Sequence, residues 1–141
     1  MDGFEARRRF AESRVARLAT VGPESRPHVV PCTFAVEGDR IASVVDEKPK
    51  RTKALRRLEN IRANPNVSIL VDRYDEDWTR LWWVRADGTA TVAEDGADRD
   101  RAVELLTAKY PQYTVEPPTG PAVLVAVDRW SWWSAAPGAL R

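Results

Sequence analysis

The strongest constraint on this chain is that its extended runs follow one another through very short turns. Val15 to Val21 reads as a strand. Gly22-Pro23-Glu24-Ser25-Arg26-Pro27 is a turn, because proline fixes φ and glycine frees it. His28 to Val36 is extended again, and Glu37-Gly38-Asp39-Arg40 closes a hairpin onto the β-branched run Ile41 to Val45. Strands joined this tightly pair antiparallel. Pro31 has no N–H to give a ladder, which places its run at a sheet edge or a bulge.

The apolar period then changes. From Thr52 to Ala63 the apolar positions Ala54, Leu55, Leu58 and Ile61 share one helical face, and Asn64-Pro65 ends that helix. Val67 to Val71 is a strand with almost no polar interruption, followed by an acidic loop, Arg73 to Trp78. Leu81 to Val92 is extended, and its Asp87-Gly88 step marks a tight hairpin or, the reading preferred here, a bulge in one long strand. A helix from about Ala97 to Tyr110 stops at Pro111. After the rigid Pro117–Pro121 loop, Ala122 to Val127 forms a last strand that continues through Trp130–Trp133. Phe4, Ala6, Phe10 and Ala11 give residues 3–13 a short opening helix. Alternating βαβ units and the glycine-rich dinucleotide fingerprint are both missing from the sequence. The expected fold is α+β, mainly β: one domain over residues 1–141, a small antiparallel barrel with helices on its side or ends.

Composition narrows the function classes. With 43% hydrophobic and 30% charged residues the chain has material for a core, which excludes a disordered protein. A net charge of +1 argues against a generally basic nucleic-acid binder. No apolar run approaches the ~18–20 residues that span a bilayer, so no membrane association is expected. Met1 to Arg9 is charged where a secretory signal would be apolar, and Cys32 is the single cysteine. A reducing, cytoplasmic setting follows as the expectation. One cysteine and one histidine, His28, leave no material for a cysteine cluster or a His-rich metal site.

The densest chemical signal is the basic run Lys48, Lys50, Arg51, Lys53, Arg56, Arg57 and Arg62, interrupted by the single acid Glu59. Lys48, Lys50 and Arg51 stand at the start of the expected helix, where free N–H groups and the helix dipole favour an anion. Thr52 adds a cap and a hydroxyl. The run reads either as a phosphate seat at a strand-to-helix junction or as a solvated face balancing Asp46, Glu47 and Asp72. It lacks the interleaved aromatics of a single-strand nucleic-acid platform. Cys32 reads as a small buried hydrophobe, since His28 lies four residues away along the same strand, too far to act as its base. Asp72, Asp75, Glu76 and Asp77 lack the bend glycine of a calcium loop and read as solvated. Adjacent Trp82 and Trp83, and likewise Trp132 and Trp133, must face opposite sides of a strand, with Trp130 on the side of Trp132. Large aromatics on both faces of a sheet read as an outer face covered by a second subunit, the reading preferred here, or by a flat ligand, or else as caps on a small core under a helix.

These residues, taken in order, resemble a known superfamily. Lys48-Pro49-Lys50-Arg51-Thr52, Leu55, Leu58, Asn60-Ile61, Asn64-Pro65 and Val67–Asp72 are similar to the pyridoxamine 5′-phosphate oxidase-like split β-barrel proteins. Asp77-Trp78, Leu81–Arg85 and Gly88 look like the branch of deazaflavin (coenzyme F420)-dependent oxidoreductases, and Val15–Thr20 with Arg26-Pro27-His28 suits the first hairpin. The resemblance implies a homodimer with two cofactor sites at the interface. It gives the cofactor phosphate to Lys48, Lys50 and Arg51 with Thr52 beside them. It lines the ring with Val30, Pro31, Cys32 and Thr33 and with Ser43, Val44 and Val45. Coenzyme F420 is the implied cofactor, with FMN as the alternative, and hydride transfer to a small conjugated acceptor is the implied reaction. A non-catalytic cofactor-binding protein is a further alternative. The C-terminal stretch Arg129–Trp133 has no histidine, which departs from the pattern needed for vitamin B6 oxidation. The proton that follows the hydride would come from solvent or from a side chain such as His28.

Overall fold

The computed structural model describes residues 1–45 and 51–135, with residues 51–55 described as backbone only. The chain runs α1 (Gly3–Glu12), β1 (Ala16–Val21), β2 (Pro27–Cys32), β3 (Ala35–Glu37), β4 (Arg40–Val44), α2 (Arg51–Ala63), β5 (Asn66–Arg73), a 3-10 turn (Trp78–Arg80), β6 (Trp82–Ala93), α3 (Gly96–Lys109), α4 (Gln112–Val115) and β7 (Ala122–Ser134). All seven strands form one antiparallel sheet in the order β2-β1-β5-β6-β7-β4-β3. β2 and β3 are its two outermost strands, yet only Thr33 and Phe34 separate them in sequence. The three Cα–Cα steps from Cys32 to Ala35 reach no more than about 11 Å. The sheet must therefore curl until its edges meet, which makes it a split barrel. The expected single extended run His28–Val36 is corrected by this break: Cys32 is the last residue of β2 rather than mid-strand. Pro31 does lie on an edge strand, opposite Arg17.

Short-range chemistry sets the element ends. Asp2 caps α1, its carboxylate accepting the Glu5 N–H at 2.8 Å. The β1–β2 turn closes through Gly22 N–H to Arg26 O at 2.8 Å, and Gly38 (φ +61°) makes the β3–β4 turn.

The barrel interior is filled by Leu18, Ile41, Val67, Ile69, Val71, Val84, Ala86, Val123 and Val125, closed by Phe10 of α1 and by Leu58 and Ile61 of α2. Phe10 meets Phe34 and Trp130 edge-on, at centroid distances of 5.2 and 5.1 Å. A second cluster lies outside, where Ala102 and Leu106 of α3 and Tyr110 just after it cover Ala42, Val44, Ala122 and Leu124. β4 and the first half of β7 are thus buried on both faces, which is why Ala122–Val125 reads as an unbroken apolar run.

The bulge expected at Asp87-Gly88 is present, and the extra residue sits on the partner strand. Asp87 pairs with Arg129 and Gly88 with Val127, leaving Asp128 of β7 unpaired. The insertion flips parity. Val123 and Val125 point inward before it, and Trp130 and Trp132 turn inward after it. Gly88 is required there, since a Cβ would lie 2.2 Å from the carbonyl oxygen of Ala126.

Candidate cofactor site

The link that closes the barrel also gathers polar side chains. The Ser43 hydroxyl donates to the Thr33 carbonyl at 2.8 Å, tying β4 to the end of β2. The Thr33 hydroxyl meets the Tyr113 hydroxyl at 2.7 Å. The Phe34 N–H donates to the Tyr110 hydroxyl at 3.2 Å, and that hydroxyl donates to Arg14 O at 2.9 Å. The Lys109 ammonium donates to Phe34 O at 2.9 Å and stands 3.7 Å from the centroid of the Phe34 ring. The C-terminal end of α3 and the turn after it are thereby clamped onto the β2–β3 break.

Electrostatically the place is positive. Burial pushes the Cys32 thiol above its ordinary value, opposed by the fields of Arg57, Lys109 and Arg17 and by a hydrogen bond with Ser43. Burial likewise pulls the Arg57 guanidinium down. Burial, then the nearby Arg14, holds the Lys109 ammonium at about 8. Among the described residues neither Arg57 nor Lys109 has a carboxylate partner, and the Arg57 Nε is buried with no hydrogen-bond acceptor.

Of the residues named from sequence, Cys32, Thr33 and Ser43 come together here. Val30 is half-buried against the interior, and Pro31 is exposed on the opposite face of the same strand. Val44 packs under α3, while Val45 lies in the core, 2% exposed, with its N–H on Pro121 O at 3.0 Å. Lys48 and Lys50 fall outside the described residues, as do the side chains of Arg51 and Thr52; α2 begins at Arg51. His28 is not brought to this place. It stands opposite Thr20 at the far end of β2, about 13 Å along the strand from Cys32. Lys109, Tyr110 and Tyr113 went unnoticed as site residues, their one local signal being aromatic and basic residues bunched where Pro111 stops α3. The acidic loop holds itself together, Asp77 capping Thr79 and Asp75 accepting the Asp77 N–H at 2.8 Å. Among the described residues no cluster of His, Cys, Asp or Glu is placed to hold a metal.

Among the described residues no helix covers a second surface. On the outer face of β1, β2, β5, β6 and the end of β7, Val29, Leu70, Trp83 and Trp133 line a groove of about 570 Å³ with Arg17, Arg85, Ser68 and Asp72. Val29 is 60% exposed and Leu70 37%. Asp87, beside this groove, accepts from Ser68 at 2.6 Å and pairs with Arg85 at 3.2 Å.

A curled seven-stranded antiparallel sheet with its edges joined and helices at its ends and side defines a split β-barrel protein. The chain belongs to the pyridoxamine 5′-phosphate oxidase family, whose model matches residues 4–134. Solved structures share the fold. The conserved hypothetical protein Rv2991 of Mycobacterium tuberculosis is 23% identical with a TM-score of 0.79, over 100% of this chain and 89% of that one. An FAD-binding protein of Mesorhizobium loti is 22% identical with a TM-score of 0.70, over 94% of each chain. The heme storage protein HutZ of Vibrio cholerae is 14% identical with a TM-score of 0.70, over 95% of each. No curated protein sequence matches the chain. Among the described residues no helix is long and apolar enough to cross a membrane.

Proposed function

We propose that this chain is a homodimeric oxidoreductase that binds a flavin-type nucleotide, coenzyme F420 with FMN as the alternative, and passes a hydride to a small conjugated acceptor. The observation that carries the reading is the end of β2, where two cations that have no acid partner among the described residues, and the hydroxyls of Thr33, Ser43, Tyr110 and Tyr113, gather at the strand that the family resemblance gives to a cofactor ring. A half-buried guanidinium whose Nε is orphaned suits a ligand rich in acceptor oxygens.

In this reading Lys48, Lys50, Arg51 and Thr52 hold the phosphate at the start of α2, where helix dipole and side-chain charge act together. The ring lies along Val30–Thr33 and Ser43–Val45. Bound there, the cofactor supplies the two-electron chemistry. The chain's own residues fix the ring against the closed edge of the barrel and shield it from water. The second protomer supplies the other wall. The outer face with Trp83, Trp133, Leu70 and Val29 has the apolar area, and its Arg17, Arg85, Asp72 and Asp87 carry both charge signs, so a twofold partner offers each charge its opposite.

Parallel fluorescence titrations with coenzyme F420, FMN, FAD and hemin test the reading. Saturable binding of F420 or FMN, one per chain and well ahead of hemin, supports it. Hemin binding alone would reassign the protein to the heme-binding branch of this fold.

A further inference from the structure

Between the β1–β2 turn and the middle of α2 lies a cavity of about 510 Å³. Thr20 and His28 are paired across β1 and β2 and so share one face of the sheet. Asn60 of α2 is 1% exposed and lies against that pair, its Nδ2 donating to Thr20 Oγ1 at 3.1 Å. With Nδ2 engaged there, Asn60 Oδ1 is turned to Gly22, where an added Cβ would stand 3.3 Å from it. Glycine at that position leaves the oxygen open to the cavity. Among the described residues Asn60 Oδ1 and His28 Nδ1 are buried without a hydrogen-bond partner, and both residues line this one cavity. A buried amide oxygen with no donor is costly, so its place suits the N–H of a ligand.

The rim carries both charge signs. α2 turns Arg56, Glu59 and Asn60 to the cavity, at the three- and four-residue spacing of one helical face, and the turn adds Glu24 and Arg26. These four exposed charges make no ion pair among the described residues, although each wall holds one of either sign. Pro23 and Pro27 give apolar surface beside them. An acceptor oxygen and two carboxylates disfavour a simple anion, and two guanidiniums disfavour a simple cation. A molecule that carries a protonated amine and a carboxylate close together answers all of these groups.

We infer that this cavity binds a small zwitterion of the α-amino-acid class, free or as a dipeptide, with an aliphatic side chain. The ammonium group donates to Asn60 Oδ1 beside Glu59, and a second of its N–H bonds goes to His28 Nδ1. The carboxylate takes the guanidinium of Arg56 or Arg26. The side chain packs on Pro23 and Pro27. The site shares no residue with the proposed cofactor site, and His28 lies about 13 Å along β2 from Cys32. The inference therefore stands whether or not the cofactor reading does.

The test is calorimetric titration of the full chain with L-leucine and with the dipeptide glycyl-leucine. Leucinamide, which lacks the carboxylate, and N-acetyl-leucine, which lacks the ammonium, are titrated beside them. The expected result is saturable binding of leucine or glycyl-leucine, one per chain, with both controls at least tenfold weaker. Tighter leucine names the free amino acid as the ligand form, and tighter glycyl-leucine names the dipeptide. Arg56→Gln and Glu59→Gln, both at exposed positions, each lower the affinity at least tenfold with the melting temperature unchanged. Gly22→Ala, whose Cβ crowds Asn60 Oδ1, has the same effect on binding. If Gly22→Ala lowers the melting temperature, the two exposed variants decide. No saturable binding of either probe overturns the proposal, as does full affinity in Arg56→Gln and Glu59→Gln. N-acetyl-leucine binding as well as leucine makes the cavity a plain anion site, and leucinamide binding as well makes it a plain cation site; either result overturns the proposal. Displacement of bound leucine by coenzyme F420 or FMN assigns the cavity to the cofactor and overturns it too. Failure of the cofactor titrations alone removes the cofactor reading and leaves this inference in place.

Discussion

Replacing Gly88 by alanine probes the bulge on which the sheet's geometry depends. The new Cβ would sit 2.2 Å from the Ala126 carbonyl oxygen and 3.0 Å from the Ala126 carbonyl carbon and Val127 Cα, all backbone atoms of β7. No rotamer change relieves a clash with backbone, so β6 and β7 must separate where Asp128 bulges. Overpacking costs about 1–3 kcal/mol, and a backbone clash this close belongs at the upper end, about 3 kcal/mol. For a chain of this length that lowers the melting temperature by about 10 °C. The neighbour Asp87 would shift with it, loosening its bonds to Ser68 and Arg85 on the outer face and weakening the proposed dimer. Urea unfolding followed by circular dichroism measures the first effect, and sedimentation at several concentrations the second. A Gly88→Ala protein within about 0.5 kcal/mol of the original would refute the claim that this contact is fixed.

Other perturbations separate the remaining parts of the account. Lys50→Ala combined with Arg51→Ala should weaken cofactor binding at least tenfold while the protein still sediments as a dimer; unchanged affinity in a fluorescence titration places the phosphate elsewhere. Leu70→Lys should turn the dimer into a monomer at micromolar concentration, and an unchanged sedimentation coefficient contradicts the outer-face interface. Thr20→Val leaves the buried Asn60 Nδ2, now bonded to Thr20 Oγ1 at 3.1 Å, without that partner; a loss of about 1–3 kcal/mol in urea unfolding is expected. The folded Lys109 titrates near 8 against an ordinary 10.5, so between those values the unfolded chain carries a proton that the folded chain has released. Lys109 therefore makes stability rise with pH across that window. Subtracting the Lys109→Met stability profile from the original isolates the rise, and parallel profiles would contradict it.

Much of the fold was legible because it is local. Turn residues, proline positions and the change of apolar period marked nearly every element, and Gly88 marked the bulge. The side of the bulge was hidden, because an unpaired residue belongs to a strand pair and not to either strand; the inward set shifting from Val123 and Val125 to Trp130 and Trp132 was its trace. The break at Thr33–Phe34 was missed for a related reason. Nothing in that stretch disfavours extended chain, and only closure of the barrel makes it a corner. In the site, the resemblance pointed to Cys32, Thr33 and Ser43, and the hydrogen bond from Ser43 to Thr33 O joins two of their strands. Lys109, Tyr110 and Tyr113 reach that corner only because α3 packs across β4 and β7, a long-range event with no local period to announce it.

A crystal structure with the more tightly bound of coenzyme F420 and FMN would locate the cofactor outright. The phosphate is expected against Lys48, Lys50, Arg51 and Thr52, the ring along Cys32, Thr33 and Ser43, and a second protomer closing the site. A ligand lodged away from the end of β2, or held by a single protomer with the start of α2 facing bulk solvent, would contradict it.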